Sequence, residues 1–217
     1  MIICGDSRLA QLIAVQVGAT LDDDELTRRA QIIANDYAGI FPMHLAFYAR
    51  SILFAASRAI QAFGRFEESV AAADDSEAVS SLHEALTHSA ALSRFFWPSG
   101  LGGKSRPVLK KLADARASRL RMLYALDEQS ALRDRNLRDA LEHFDERLDR
   151  YLLGLEAGYI FPDPMLGTIH LAQDPVGHIF KLVDPSERVF VLLGQSYSYG
   201  HLVPELRRIA QRAESEG

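Results

Sequence analysis

The spacing of apolar residues changes once along this 217-residue chain, near Gly158, and that change limits the folds open to it. Upstream, apolar residues recur at helical intervals. From Met43 to Phe63, the residues Phe47, Ile52, Ala55, Ala56, Ala59, Ile60 and Phe63 form one broad apolar face. Downstream, the pairs Asp163-Pro164, Asp174-Pro175 and Asp184-Pro185 punctuate the chain about every ten residues, and Asp followed by Pro suits the first two positions of a type I turn. The stretches 167–171, 178–183 and 189–193 lie between and after them, short and rich in β-formers. The expected fold is mainly α (α+β): a helical bundle over 1–157, then over 158–217 a small antiparallel β-meander and a closing helix, Leu202 to Ala213, packed on the bundle as one unit.

Within the bundle, Arg8 to Val17 reads as a short helix. Asp22 to Tyr37 reads as a second, its first turn rich in acids that favour the positive end of the helix dipole. Phe41-Pro42 marks a break. Gly64 is the expected stop of the helix that begins at Met43. Asp75-Ser76 opens a helix running to Phe95, Phe96 and Trp97. A glycine-rich loop from Pro98 to Ser105 precedes Pro107, which suits a first helical turn. A last long helix is expected to begin between Ser130 and Asp134 and to run to about Leu155, with Leu137, Leu141, Phe144, Leu148 and Leu155 on one face.

Net charge is -5, which argues against a protein coated with nucleic acid but leaves room for a local basic patch. Cys4 is the only cysteine, so no disulfide framework or cysteine-based zinc site is expected, and a reducing, cytoplasmic compartment is the natural reading. No apolar run reaches the ~18 residues that cross a bilayer. The amino terminus lacks the basic region of a secretory leader.

The residues that carry chemistry stand late in the last long helix: Arg138-Asp139-Ala140-Leu141-Glu142-His143. On a helix, residues four apart share a face, so Asp139 can orient the His143 imidazole, while Arg138 reaches from an adjacent face. Histidine titrates near neutrality. It can take the proton of an RNA 2′-hydroxyl or give one to the leaving 5′ oxygen. Guanidinium is a permanently charged, forked partner for the phosphate as it gains charge. No metal is required. One helix supplies half a site at best; two copies packed antiparallel would line one cleft. A basic run, Lys104, Arg106, Lys110, Lys111, Arg116, Arg119 and Arg121, precedes the motif and would guide RNA phosphates if the two segments formed a helical hairpin; its alternative role is a solvated helix face or a partner for the acids of the motif helix.

This segment resembles the Arg-(Asn/Asp)-x-x-x-His motif of the HEPN domain superfamily, all-helical nucleotide-binding proteins and ribonucleases. The resemblance is specific over about 133–150 and does not extend to the β-meander. It implies a homodimeric, metal-independent endoribonuclease acting as a toxin or defence component, with Arg138 stabilising the phosphate, His143 transferring protons and Asp139 orienting His143. No cofactor is implied. RNA and an antitoxin are the partners it suggests. A toxin branch of the superfamily carries a tyrosine two residues after the histidine, modified by the antitoxin; here that position is Asp145, so this mode of regulation draws no support. The alternative is a non-catalytic nucleotide-binding or protein-interaction module.

Other patterns read as structural. Gly103-Lys104-Ser105 lacks the first glycine of a phosphate loop, since position 98 is Pro98. Gly194-Gln195-Ser196-Tyr197-Ser198 ends in serine where a nucleophile elbow needs glycine. His83 and His88 lack a companion ligand pattern. Phe95, Phe96 and Trp97 read as core.

Overall fold

The computed structural model describes residues 21–98, 107–155, 157–174 and 176–216. The expected helix at Arg8 to Val17 lies outside them, as do Lys104 and Arg106. The described chain is mainly helical with a small sheet near its carboxyl end. No described helix is long and apolar enough to cross a membrane.

Helix α1 (Asp23–Asp36) begins where the Asp22 carboxylate accepts the Glu25 N–H at 2.7 Å, with acids filling the first turn. It ends at a tight turn containing Ala38 and Gly39, both at positive φ. Helix α2 (Leu45–Ala71) does not stop at Gly64. The reason is tertiary. Phe63 and Phe66 are both buried, and burying one such side chain contributes about 1.5–3 kcal/mol, more than the ~1 kcal/mol that glycine costs relative to alanine inside a helix. Ala49, Ala55, Ala56, Ala59 and Ala62 on the same face allow close approach of α3 (Asp75–Phe96), whose Leu82, Ala85, Leu86 and Phe96 are fully buried. Asp74 caps α3 by accepting the Glu77 N–H. Helix α4 (Pro107–Tyr124) starts at Pro107 as the sequence predicts and packs chiefly on α1 and α3.

The largest departure lies at the motif. The expected long helix is two: α5 (Arg135–Glu142) and α6 (Phe144–Leu153), broken at His143. Asp134 caps α5 by accepting the Asn136 N–H at 2.8 Å. The break lets Ala140 bury beneath α3 while Phe144 turns toward Phe180 and Lys181 of the sheet region. One straight helix would have to hold a single face against both neighbours. Leu141, Phe144, Leu148 and Tyr151 pack partly buried against the core, which is why the apolar spacing reads as continuous through the break.

Beyond Gly158 the sheet is partly as expected. Strands β4 (Lys181–Asp184), β5 (Val189–Leu192) and β6 (Gln195–Ser198) form an antiparallel meander. The turn between β5 and β6 is the two-residue Leu193-Gly194, both at positive φ, a form whose twist matches the strands. Strand β2 (Met165–Leu166) adds to β4 in parallel, and β1 (Tyr159–Phe161) pairs in parallel with β3 (Gly177–Ile179). The expected strand at 167–171 is largely a 3-10 turn, Ile169–Gln173. Its first N–H goes to Asp184 Oδ2 at 2.8 Å instead of to a neighbouring strand. Along the strands Leu182 and Val191 face a small second cluster, while Val183, Phe190 and Leu192 join the helical core. Helix α7 (Leu202–Glu216) closes the fold against α2.

Asp184 organises this end of the molecule. It is 3% exposed, and its carboxylate accepts N–H groups from Ile169, Ser186 and Glu187. Burial alone would raise its carboxyl; the three donors outweigh that and hold it below the usual carboxylate value. Asp184→Ala is expected to destabilise the protein by about 2–3 kcal/mol at pH 7, because three amides lose their acceptor and water re-enters only in part. With the folded-state value depressed, the wild-type carboxylate stabilises fully above the unfolded value of about 3.9 and loses this contribution as pH falls through the folded value. Urea melts at pH 7 and pH 3 should therefore show the two proteins converging at the acid end.

Candidate functional site

His143 sits at the junction of α5 and α6, closing one helix and opening the next. Its N–H donates to the Asp139 carbonyl at 3.1 Å, and its own carbonyl accepts the Arg147 N–H at 3.1 Å. The residue is thus held through its main chain while its side chain stays 59% exposed. Nδ1 lies 3.6 Å from Glu146 Oε1. Asp139 is half-buried, with Ala140 beside it in the core. Arg138 lies on α5, one residue before Asp139. Glu142, whose place among like charges hints at a distant partner, pairs with Arg94 of α3 in the same chain.

Next to this junction lies a cleft of about 390 Å³. Ala140, Arg147, Arg150 and Tyr151 form one wall; Leu192, Leu193, Gln195 and Tyr197 form the other. Arg147 Nη1 donates to Gln195 Oε1 at 2.9 Å and to the Tyr197 hydroxyl at 3.3 Å, and that hydroxyl donates to Gln195 Oε1 at 2.7 Å. Burial raises the Tyr197 phenol above its ordinary value, against the lowering pull of Arg147, so it remains a neutral donor at pH 7. Burial likewise raises Tyr151. Behind the junction, Lys181 Nζ sits 4.8 Å from the Phe180 ring centre and 5.5 Å from that of Phe144, and burial pushes its ammonium down.

The basic run divides in two. Lys110 pairs with Asp114 at 2.6 Å, and Lys111 donates to Asn35 at 2.8 Å; both are exposed. Arg116 lies over the Tyr48 ring at 5.8 Å. Arg119 donates to the carbonyls of Tyr37 and Ile40 at 2.9 and 2.7 Å, and Arg121 to that of Phe96, so these two guanidiniums tie the turn after α1 and the end of α3 to α4. The expected hairpin between the basic helix and the motif is absent from the main packing contacts: α4 rests on α1 and α3, while α5 rests on α3 and α6.

Gly103-Lys104-Ser105 lies outside the described residues; the other patterns resolve structurally. Phe96 and Trp97 are core. Gln195 to Ser198 is strand β6. His83 stacks on Phe190 with ring centres 6.5 Å apart, and burial, then the Lys181 charge, lowers its imidazole. Among the described residues no group of three or more His, Cys, Asp or Glu side chains is placed to hold a metal ion.

Sequence reasoning missed the cleft. Arg147, Arg150 and Tyr151 share a helical face, a spacing visible in the chain, but the facing wall comes from a hairpin some 45 residues away that no local pattern links to it. Comparison with known proteins returns no match: no family model, no curated protein and no solved structure is detectably similar to this chain.

Proposed function

We propose that this chain is a HEPN-like, metal-independent endoribonuclease that works as a homodimer. The observation that carries the reading is the helix break at His143, which leaves the imidazole exposed and backed by Glu146 while its main chain is fixed on both sides. An exposed, positioned imidazole can take the 2′-hydroxyl proton of RNA or protonate the 5′ oxygen as it leaves. Arg138 supplies the guanidinium for the charge that builds on the phosphate, and Asp139 orients His143. The products of this route are a 2′,3′-cyclic phosphate and a 5′-hydroxyl.

Dimerisation supplies the second half-site. Just past His143, Leu152, Leu153, Tyr159, Ile160 and Phe161 stand exposed, an apolar surface of the kind a partner subunit covers. Lys110 and Lys111 remain exposed for phosphate steering, whereas Arg119 is engaged within the fold. A toxin or defence role, with an antitoxin as partner, follows from the same resemblance. The test is incubation of the purified protein with RNA in EDTA, with Arg138→Ala and His143→Ala compared. Unchanged cleavage in both variants removes the assignment.

A non-catalytic, ligand-binding reading has its own support in the cleft beside α6, which no acid lines among the described residues.

A further inference from the structure

The segment from Glu142 to Arg150 carries four acids, Glu142, Asp145, Glu146 and Asp149, alongside Arg147 and Arg150. Ordinary helix pairing would neutralise both arginines. It does not: among the described residues no carboxylate lies within ion-pair distance of either guanidinium, and no acid lines the cleft they share. At Tyr197 the charge of Asp134 is felt only as the least of the influences on its phenol, after burial and Arg147. Both arginines therefore present net positive charge to a cavity whose remaining walls are neutral.

The donor set is ordered. Gln195 Oε1 accepts from both Arg147 and Tyr197, which fixes the amide and leaves its NH2 group turned away from them as a donor. Arg147 spends one nitrogen on these partners and keeps the others of its five N–H donors. The Arg150 guanidinium makes no hydrogen bond or ion pair among the described residues, although its carbonyl accepts the Gly154 N–H. Two guanidiniums and an amide NH2 exceed what the two oxygens of a carboxylate can accept, and they match the three non-bridging oxygens of a phosphate monoester. The rest of the cleft is apolar, with the Tyr151 ring and the Leu193 side chain available to a flat group. Its volume, about 390 Å³, lies within the ~300–1,000 Å³ of small-ligand sites.

The geometry points to this cleft as a binding site for an aromatic phosphomonoester, of which a nucleoside 5′-monophosphate is a representative. Arg147 and Arg150 hold the phosphate, Gln195 adds a neutral donor, and the ring rests against Tyr151 and Leu193. The site draws on the β5–β6 hairpin, outside the segment that carries the Arg-His motif, and it requires no chemistry at His143.

The experiment is calorimetric titration of the full chain with adenosine 5′-monophosphate at low salt, with inorganic phosphate, adenosine and benzoate as separate arms. The expected result is one saturable site per chain for the monophosphate, weaker binding of inorganic phosphate, and no measurable binding of adenosine or benzoate. Affinity should fall as salt rises. Arg150→Gln, which removes no side-chain hydrogen bond or ion pair among the described residues, should weaken the monophosphate at least tenfold; Arg147→Gln should do the same, with thermal melting used to check that β6 remains docked. His143→Ala should bind like wild type, so loss of RNA cleavage in that variant and loss of ligand binding in Arg150→Gln are separable. No saturable binding of the monophosphate, equal affinity in Arg150→Gln, or equal binding of benzoate would overturn the proposal.

Discussion

Replacing His143 with alanine is expected to lower RNA cleavage in EDTA by about 10²- to 10⁴-fold, the range a positioned general acid or base supplies. Arg138→Ala should lower it by a comparable ~10²- to 10³-fold, since a charged donor on the developing oxyanion is lost. Neither loss should arise from unfolding at His143. Its side chain is 59% exposed and its two main-chain hydrogen bonds do not involve the ring, so alanine there should change stability by no more than about 0.5 kcal/mol. The pairing of lost cleavage with an unchanged urea midpoint is the diagnostic result. A 2′,3′-cyclic phosphate at the product end, read by mass spectrometry, ties the chemistry to attack by the 2′-hydroxyl. Hydrolysis to a 3′-hydroxyl and 5′-phosphate would contradict that route.

Gly39→Ala is expected to cost about 4 kcal/mol or more, and to leave little folded protein at 37 °C. A Cβ placed on Gly39 would meet the Arg116 backbone nitrogen at 2.0 Å and the Ala115 carbonyl carbon at 2.6 Å. Those are main-chain atoms of α4, so no rotamer change relieves the clash. The residue also sits at φ +82°, where alanine is strained even in open space. The turn cannot swing away easily, because Arg119 holds the carbonyls on either side of it, at Tyr37 and Ile40, and Ile40 and Phe41 are buried. Thermal melting of the variant measures the loss. A midpoint within a few degrees of wild type would mean that α4 and the turn separate at little expense, against the packing described above.

Arg119 illustrates how a basic residue can be read two ways. In the sequence it belongs to a cationic run ahead of a phosphate-chemistry motif, and long-range charge is the natural account. In the folded chain its guanidinium completes a turn 79 and 82 residues away. Charge density is legible in a sequence, but whether a cation faces water or a carbonyl depends on which loop arrives beside it. Lys110 and Lys111, two turns earlier on the same helix, meet no such loop and remain at the surface.

The helices were largely legible because their boundaries are local chemistry. Asp22 and Asp74 accept N–H groups of the turns they precede, and Pro107 begins a helix where its missing N–H is not needed. Gly64 shows the limit: a local stop signal was overridden by Phe63 and Phe66, whose burial depends on α3 and on Tyr199. The first segment read as a strand, 167–171, failed for a similar reason. Gly167 still donates to the Val183 carbonyl, but the Ile169 amide bonds to Asp184, fifteen residues on, and the chain curls into a 3-10 turn.

The sequence by itself determined the α-then-β order and the spacing of Arg138, Asp139 and His143, since each rests on residue type and position along the chain. Only the tertiary structure decided that the motif helix breaks at His143, that Arg147 and Arg150 face a hairpin wall free of acids, and that Arg119 belongs to a turn. The physical reason is common to all three. A helix bends, and a charge finds or lacks a partner, according to surfaces brought together from distant parts of the chain, and the free energy of those meetings exceeds what local propensity can specify.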